Sequence, residues 1–510
     1  MPSADSKRLA KNTLFLYIRM FLVMGVSLFT SRVILNALGV NDFGIYNVVG
    51  GMVALFSVIS GSLSASISRF ITFELGTGNM VKLKQIFATS IVVQLVITGI
   101  IVIFLAPMGF WFLNHKMDIV PERMSSANWV LGFSILTFIL GLLSVPYNAC
   151  IIAHERMKAF AYVGLVEVIL KLGVAYLIYA FKDDRLIFYA FLIFCVSLII
   201  RIIYGIYCSR HFEESHVKIQ FHKTIFQEMS SFAGWTTIGT SSYVLQSQGT
   251  NIILNLFFGT VVNAAYGIGN QVNGAISNFT QNFLTALNPQ ITKTYAKGDY
   301  KHLMQLIYNG TRLSCYLMWI IAIVILLNTN YILHLWLKEV PEFAIGFVKL
   351  FIIYSLCESF SYPMQATQAA TGNMKWYQII VGGCRVLVLP LVYLFLYIYH
   401  NPLLSLVIAI IISILMFGFR LFFMKREVQM HISQFLFGII LKLLIVLFLS
   451  YFISYLAIFS IPDSFGFFII KTLIIFAITA FSIFFIGCSS MEREMLINKI
   501  QQRFLKKYQI

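Results

Sequence analysis

Long apolar runs separated by short polar loops recur fourteen times along the chain, at residues 12–38, 43–73, 85–113, 125–153, 159–181, 186–208, 225–258, 262–292, 303–327, 343–372, 376–399, 402–424, 434–459 and 466–487. A helix needs about 20 mostly apolar residues to cross the hydrocarbon core of a bilayer, and each run meets that length. The pattern predicts an all-α integral membrane protein of about fourteen spans. The longest polar connection is 209–224. An even number of spans puts both ends of the chain on one side.

Composition agrees with the pattern. Of 510 residues 59% are hydrophobic and only 11% charged, with 48 Phe and 25 Tyr, whereas soluble domains carry about 25% charged residues. A soluble enzyme, a disordered chain and a nucleic-acid binder are thereby excluded. The net charge of +17 is explained by its placement. Loops on the N-terminal side, with the C-terminal tail, hold 21 Lys and Arg. The opposite loops hold only Lys116, Arg123, Lys182, Arg185 and Lys338. Basic loops stay in the cytoplasm, so both termini are expected there. The polar start MPSADSKRLAKNT precedes an apolar run too long for a signal peptide and has no small-residue cleavage site, so it is expected to be retained. The tail, 491–510, reads either as a basic amphipathic helix on the anionic inner leaflet or as a solvated stub. Seven scattered cysteines without CxxC spacing indicate neither a disulfide framework nor a zinc site. The nine His fall in or near loops without metal-ligand spacing.

A shift of 220 residues lays Gly39 on Gly259, Tyr46 on Tyr266 and Gly78 on Gly298, matching ILNALGVNDFGIY to NLFFGTVVNAAY. Each copy opens a block of about six spans in the same orientation. The chain therefore reads as two parallel six-helix pseudo-repeats, residues 1–208 and 225–424, joined by a cytoplasmic linker at 209–224. An additional helix pair follows at 425–487, then a basic tail at 488–510. Parallel repeats of this kind are related by an axis along the membrane normal, with a substrate site near the midplane between the halves.

Four spans are unusually polar: the second, seventh, eighth and tenth. The second carries a run of serines from Ser57 to Ser68. The seventh carries Gln246, Gln248 and Asn251 among several Thr and Ser. In the eighth, Asn270, Asn273, Ser277, Gln281, Thr285 and Asn288 repeat every three to four residues, a stripe along one helix face, with Asn282 beside it. Such side chains can knit helices together at about 0.6–2 kcal/mol per hydrogen bond. A stripe of amides is costly against lipid and suits a water-filled cavity, where amides and hydroxyls bind the hydroxyls of a sugar.

Eleven cations remain inside spans. Arg69, Arg201, Arg420 and Lys442 near one end, and Lys349 and Lys471 near the other, are explained by snorkelling to the interface. Arg19 sits some 10 Å deep, Arg312 and Arg385 about 14 Å and Lys171 about 20 Å, at 1.5 Å per residue. Arg32 lies nearer the outer end. Lys171 has a local partner in Glu167, four residues back. Glu358 in the tenth span has none, so it either neutralises an Arg of another helix or carries a coupling proton. Cations outnumber acids in the spans, and guanidinium forks favour phosphate. An anionic, phosphate-bearing substrate follows, with Arg19, Arg32, Arg312, Arg385 and Lys171 as its candidate ligands. No Walker A motif is present, so energy must come from an ion gradient or from consumption of the product. The short outer loops leave no room for an extramembrane catalytic site.

The segment from Ser6 to Asn79, with Arg32, the Leu38–Gly39 turn, Gly44, Tyr46 and a Ser-rich second span ending in Arg69, resembles Wzx-type bacterial polysaccharide flippases. These belong to the multidrug/oligosaccharidyl-lipid/polysaccharide exporter superfamily, whose fold is MATE-like. The resemblance implies a non-enzymatic carrier in the bacterial cytoplasmic membrane. It would move an undecaprenyl-diphosphate-linked oligosaccharide from the cytoplasmic to the outer leaflet by alternating access. Membrane lipids, a glycan polymerase and glycosyltransferases are the implied partners, nucleic acid is not one, and no cofactor is implied beyond a coupling ion, proton or sodium. A multidrug or metabolite antiporter of the same fold, a lipid II flippase, and a membrane glycosyltransferase or polymerase are the alternatives. A pump for cationic drugs should have an acidic, aromatic cavity.

Overall fold

The computed structural model describes residues 4–54, 57–117, 119–181, 183–216, 220–337, 340–488 and 492–494. Their regular structure is helical. The elements are α1 (Ala4–Ala54), α2 (Ser57–Thr77), α3 (Met80–Ile100), α4 (Ala106–Lys116), α5 (Pro121–Ala153), α6 (Met157–Ala180), α7 (Arg185–His211), α8 (Lys223–Ala296), α9 (Tyr300–Leu337), α10 (Ala344–Ser359), α11 (Tyr362–Thr371), α12 (Met374–Tyr377), α13 (Gly383–Val386), α14 (Val388–Tyr399), α15 (Leu404–Val428), α16 (Ile432–Phe435), α17 (Leu441–Ile458) and α18 (Phe465–Ser482). Single π turns bridge α3 to α4, α12 to α13 and α16 to α17. Helices follow from the solvent: in hydrocarbon each backbone N–H and C=O must be satisfied within the chain. Pro121 stands in the first turn of α5, where a helix tolerates proline, whereas Pro146 and Pro289 lie inside α5 and α8.

Among the described residues nine helices are long and apolar enough to cross a membrane, or ten if α10 and α11, bent by 43°, form one broken span. Fourteen is not reached by that measure. The predicted spans outside that set lie in α1, which is apolar over Asn12–Ser27, and in α2 and α8, where Ser, Thr, Asn and Gln stand among the aliphatic side chains. Most of the large exposed apolar side chains sit on the apolar spans, for example Phe448, Phe452 and Leu456 on α17, as expected when lipid rather than water surrounds the chain.

The repeat is visible in the backbone. Gly39 (φ 78°, ψ 169°) breaks α1 and Gly259 (φ 74°, ψ −163°) breaks α8, a conformation open essentially to glycine alone. The next matched pair, Gly78 (φ 76°) and Gly298 (φ 72°), also has positive φ. After Gly78 the Asn79 side chain accepts a hydrogen bond from the Lys82 N–H, and after Gly298 the Asp299 side chain accepts one from the His302 N–H, both at 3.0 Å. Open space surrounds the position a Cβ would take at Gly39 and Gly259, so the effect of substitution is backbone strain. Gly259→Ala should lower the stability of the purified protein by on the order of 1–3 kcal/mol, read as a fall in Tm in detergent.

The chain forms two compact units. One comprises residues 10–240 with 295–297; the other comprises the described residues before Ala10, 241–294, and from 298 onward. The division corrects the expected boundary at 209–224. Unbroken helix runs from Lys223 to Gly259, and its first turns pack on α2: the Ser66 hydroxyl donates to the Met229 carbonyl at 3.0 Å, and the Phe70 and Phe232 rings meet edge to face.

In the first unit α5 packs on α7, α2 and α3, and α6 on α7. Val49, Val53, Leu113, Ala127, Val130, Leu131, Leu186 and Ala190 form a buried cluster. At one end Arg123 is held by Asp42 and by Asp184, 3.0 Å away, and Ser126 also donates to Asp184. Burial pushes the Asp184 carboxyl up, but Ser126, two backbone N–H groups and Arg123 together hold it below the usual carboxylate range. At the other end buried Glu214 meets His154 Nε2 at 2.6 Å. In the second unit α10 packs on α9 and α15, and α11 on the same two. The additional pair, α17 and α18, packs against α9, where Trp319 Nε1 donates to the Ser450 hydroxyl at 2.8 Å.

Candidate functional site

The second unit gathers its polar side chains around Glu358, at the end of α10. Arg385 of α13 reaches Glu358 Oε2 at 3.1 Å, Arg420 of α15 reaches the same oxygen at 3.4 Å, and the Ser413 hydroxyl of α15 donates to Oε1 at 2.6 Å. Ser413 and Arg420 are seven residues apart and share a helix face. Glu358 is 6% exposed and Arg420 only 1%. Snorkelling, expected for Arg420 from its place near a span end, is therefore corrected: its guanidinium turns inward to a carboxylate. Lys471, expected to do the same, is 6% exposed and pairs with Asp463.

One turn from Glu358, α10 presents Ser355, which donates to the amide oxygen of buried Asn273. Tyr243, Gln246, Tyr266, Asn270, Asn273 and Tyr354 line a cavity of about 30 Å³, room for about two water molecules. Gln246 is buried, and its Oε1 has no hydrogen-bond partner. Arg385 lies over the Tyr243 ring, 5.4 Å from its centre.

The first unit has a counterpart. Tyr46, Val53 and Ser134 help line a cavity there of about 240 Å³. They stand 220 residues before Tyr266, Asn273 and Tyr354 of the first cavity, so the repeat places a hollow at the same point of each half. In one half Phe138 and Ile193 close it; at the matching positions the other half has Glu358 and Ser413. Apolar side chains in one half thus stand where the other half has its ion cluster.

The eighth-span stripe divides over two faces. Asn270, Gln281 and Asn288 are exposed, as are Gln271, Gly274 and Asn278, while Ser277, Thr285 and Asn282 are half-buried. The opposite face, with Tyr266, Asn273, Ile276, Thr280, Phe283 and Leu287, is buried. On the seventh span Gln248 is exposed, Asn251 half-buried and Gln246 buried.

The candidate phosphate ligands differ in their surroundings. Lys171 pairs with Glu167 at 2.6 Å, Arg312 with Glu492 at 2.8 Å, and Arg385 shares Glu358. The side chain of Arg32 lies outside the described residues. Arg19 is half-buried on α1, with its guanidinium 4.4 Å from the centre of the Phe160 ring. Among the described residues it has no carboxylate partner, and its buried Nε has no acceptor. A Cβ on Gly164 would fall on Arg19 Nε, so the missing side chain there is what lets Arg19 cross α6. Sequence reasoning missed this use of Gly164, and it missed Arg420 and Ser413; the seven-residue spacing of the last two was the available signal.

Two units of long apolar helices, each with a polar or apolar hollow, fit a multi-pass membrane transporter. The chain belongs to the polysaccharide biosynthesis protein family, whose model matches residues 9–295; the MatE family model matches 237–394. It is 20% identical over 295 residues to the uncharacterized membrane protein EpsK of Bacillus subtilis (strain 168), and the match spans 57% of each chain, little over half of that relative's length. Its fold is similar to that of an outward-facing multidrug resistance MATE family transporter of the MOP superfamily (TM-score 0.71, 11% identity, 83% of this chain and 96% of that one). A MOP superfamily transporter from Pyrococcus furiosus (0.67, 11%, 85% and 99%) and a Vibrio cholerae MATE transporter in its bent form (0.67, 14%, 84% and 98%) are also similar.

Proposed function

We propose that the protein flips an undecaprenyl-diphosphate-linked oligosaccharide from the cytoplasmic to the outer leaflet of a bacterial cytoplasmic membrane. Both termini would be cytoplasmic, and the protein would work beside the glycosyltransferases that build the glycan and the polymerase that consumes it. The observation that carries this reading is the exposed amide face of α8. A membrane-depth helix with Asn270, Gln281 and Asn288 exposed cannot rest against hydrocarbon; it needs water or a ligand rich in hydroxyl groups. Neutral amides offer donors and acceptors to a sugar and hold it loosely enough to release it. The diphosphate would pair with Arg19, which has no carboxylate partner among the described residues, and with Arg32.

In this reading each half moves as a body, and the headgroup is exposed first to one side and then to the other while the isoprenoid tail stays in lipid. Glu358 is better suited to hold Arg385 and Arg420 than to carry a coupling proton or sodium, because both its oxygens are engaged. The drive then falls to consumption of the product outside or to an ion bound elsewhere. A MOP transporter whose binding pocket has reversed polarity is known from Pyrococcus furiosus. The excess of cations over acids along the apolar spans of the sequence likewise argues against a pump for cationic drugs.

The stripe makes a sharp prediction. Single cysteines at Gln281 and Asn270 should react with a membrane-impermeant thiol reagent in a background lacking the seven native cysteines, while cysteines at Thr280 and Phe283 stay inert. Equal protection at all four positions would return the stripe to helix packing.

A further inference from the structure

We propose that the hollow of the first unit is a binding pocket for a neutral branched hydrocarbon, namely the isoprenoid segment next to the diphosphate of the lipid carrier; the carrier's identity rests on the function proposed above. The pocket lies among α1, α5 and α7 and is open on one side. Val53, Ala190, Ile193 and Phe138 supply its apolar wall, and its polar groups are the hydroxyls of Tyr46, Ser134 and Thr137, with no charged residue among them. At about 240 Å³ it exceeds the engineered apolar cavity of about 150 Å³ that takes up benzene. There is space for about two five-carbon units.

Water is the competing occupant, and the lining decides against it. A buried water needs two to four polar partners. Filling this volume takes several waters, for which three hydroxyls are too few, and the Tyr46 ring already packs against Tyr189, tilted, at 4.7 Å. The matching place in the second unit shows what a polar lining does: with Asn273, Tyr354 and Gln246 around it, the hollow shrinks to about 30 Å³ beside a closed ion cluster. The repeat has therefore kept one copy polar and shut and the other apolar and open. Branched isoprenoid methyls fit a wall of β-branched and aromatic side chains better than a straight acyl chain does. A neutral wall suits the stretch of carrier just beyond its charges.

The test uses the full-length protein in nanodiscs with a photoactivatable polyprenol that carries neither phosphate nor sugar, and in parallel a photoactivatable phosphatidylglycerol. Crosslinks of the polyprenol are expected within 134–138 and 190–193. Ile193→Trp, which fills the pocket, should reduce them at least tenfold while Tm stays level or rises; the milder Ile193→Phe should give a smaller loss. Undiminished labelling in both variants, or labelling there by phosphatidylglycerol alone, overturns the pocket assignment. Polyprenol crosslinks confined to other helices overturn the pocket and leave the flippase reading standing; absence of polyprenol crosslinks anywhere counts against both.

Discussion

Glu358→Gln is expected to destabilise the protein by about 3–5 kcal/mol, the range found when one member of a buried ion pair is removed. Against a total stability of about 5–15 kcal/mol, that loss should deplete the protein from the membrane. The reason is geometric. One carboxylate, 6% exposed, faces two guanidiniums, one of them 1% exposed; without it the buried Arg420 and the half-buried Arg385 are left without their counter-ion. The double variant Glu358→Gln/Arg420→Met should recover much of the loss, since an apolar group of similar length needs no counter-ion. Membrane abundance and Tm in detergent read both effects. A Glu358→Gln protein as abundant and as heat-stable as the parent would mean that the carboxylate does not hold the cluster and is free to exchange protons or ions.

Arg19→Ala is expected to reduce glycan export roughly ten- to a hundredfold without loss of protein from the membrane. A hydrogen bond to a charged group contributes about 1.5–3 kcal/mol, and 1.36 kcal/mol is a factor of ten. Arg19 has the features a phosphate ligand needs: membrane depth, no carboxylate paired to it among the described residues, a buried Nε without an acceptor, and an aromatic ring to hold its plane. Two further variants separate charge from placement. Arg19→Lys keeps the charge and loses the fork, so export should fall but remain measurable. Gly164→Ala keeps the arginine and displaces it, and should act like a weaker Arg19→Ala. Full export in all three would remove Arg19 from the substrate path.

The two variants address residues that sequence exposes to different degrees. The fold was legible because hydrophobic runs and glycines are local signals. Gly39 and Gly259 could be matched by eye, and the backbone then adopts at both a conformation reserved for glycine. The α8 stripe was half legible. Its three-to-four-residue spacing predicted a polar face, but Asn273 falls on the buried side and serves Ser355, because 3.6 residues per turn carry every third position gradually around the helix. Arg420 was misread because depth along a span says nothing about which way a side chain turns, and its partner lies 62 residues away. The unit boundary was misplaced for a similar reason: a polar loop marks a change of solvent, while α8 runs unbroken from one compact unit into the next.

The central claim is movement of a diphosphate-linked glycan without chemical change, and it can be measured with purified protein in proteoliposomes. A fluorescent polyprenyl-diphosphate oligosaccharide is placed in one leaflet, and its appearance in the other is followed with an impermeant quencher. The account predicts protein-dependent transfer without ATP, loss of that transfer in Arg19→Ala, and recovery of the lipid intact. Transfer of a cationic dye in place of the glycan lipid, or a lipid recovered with bonds made or broken, would contradict it.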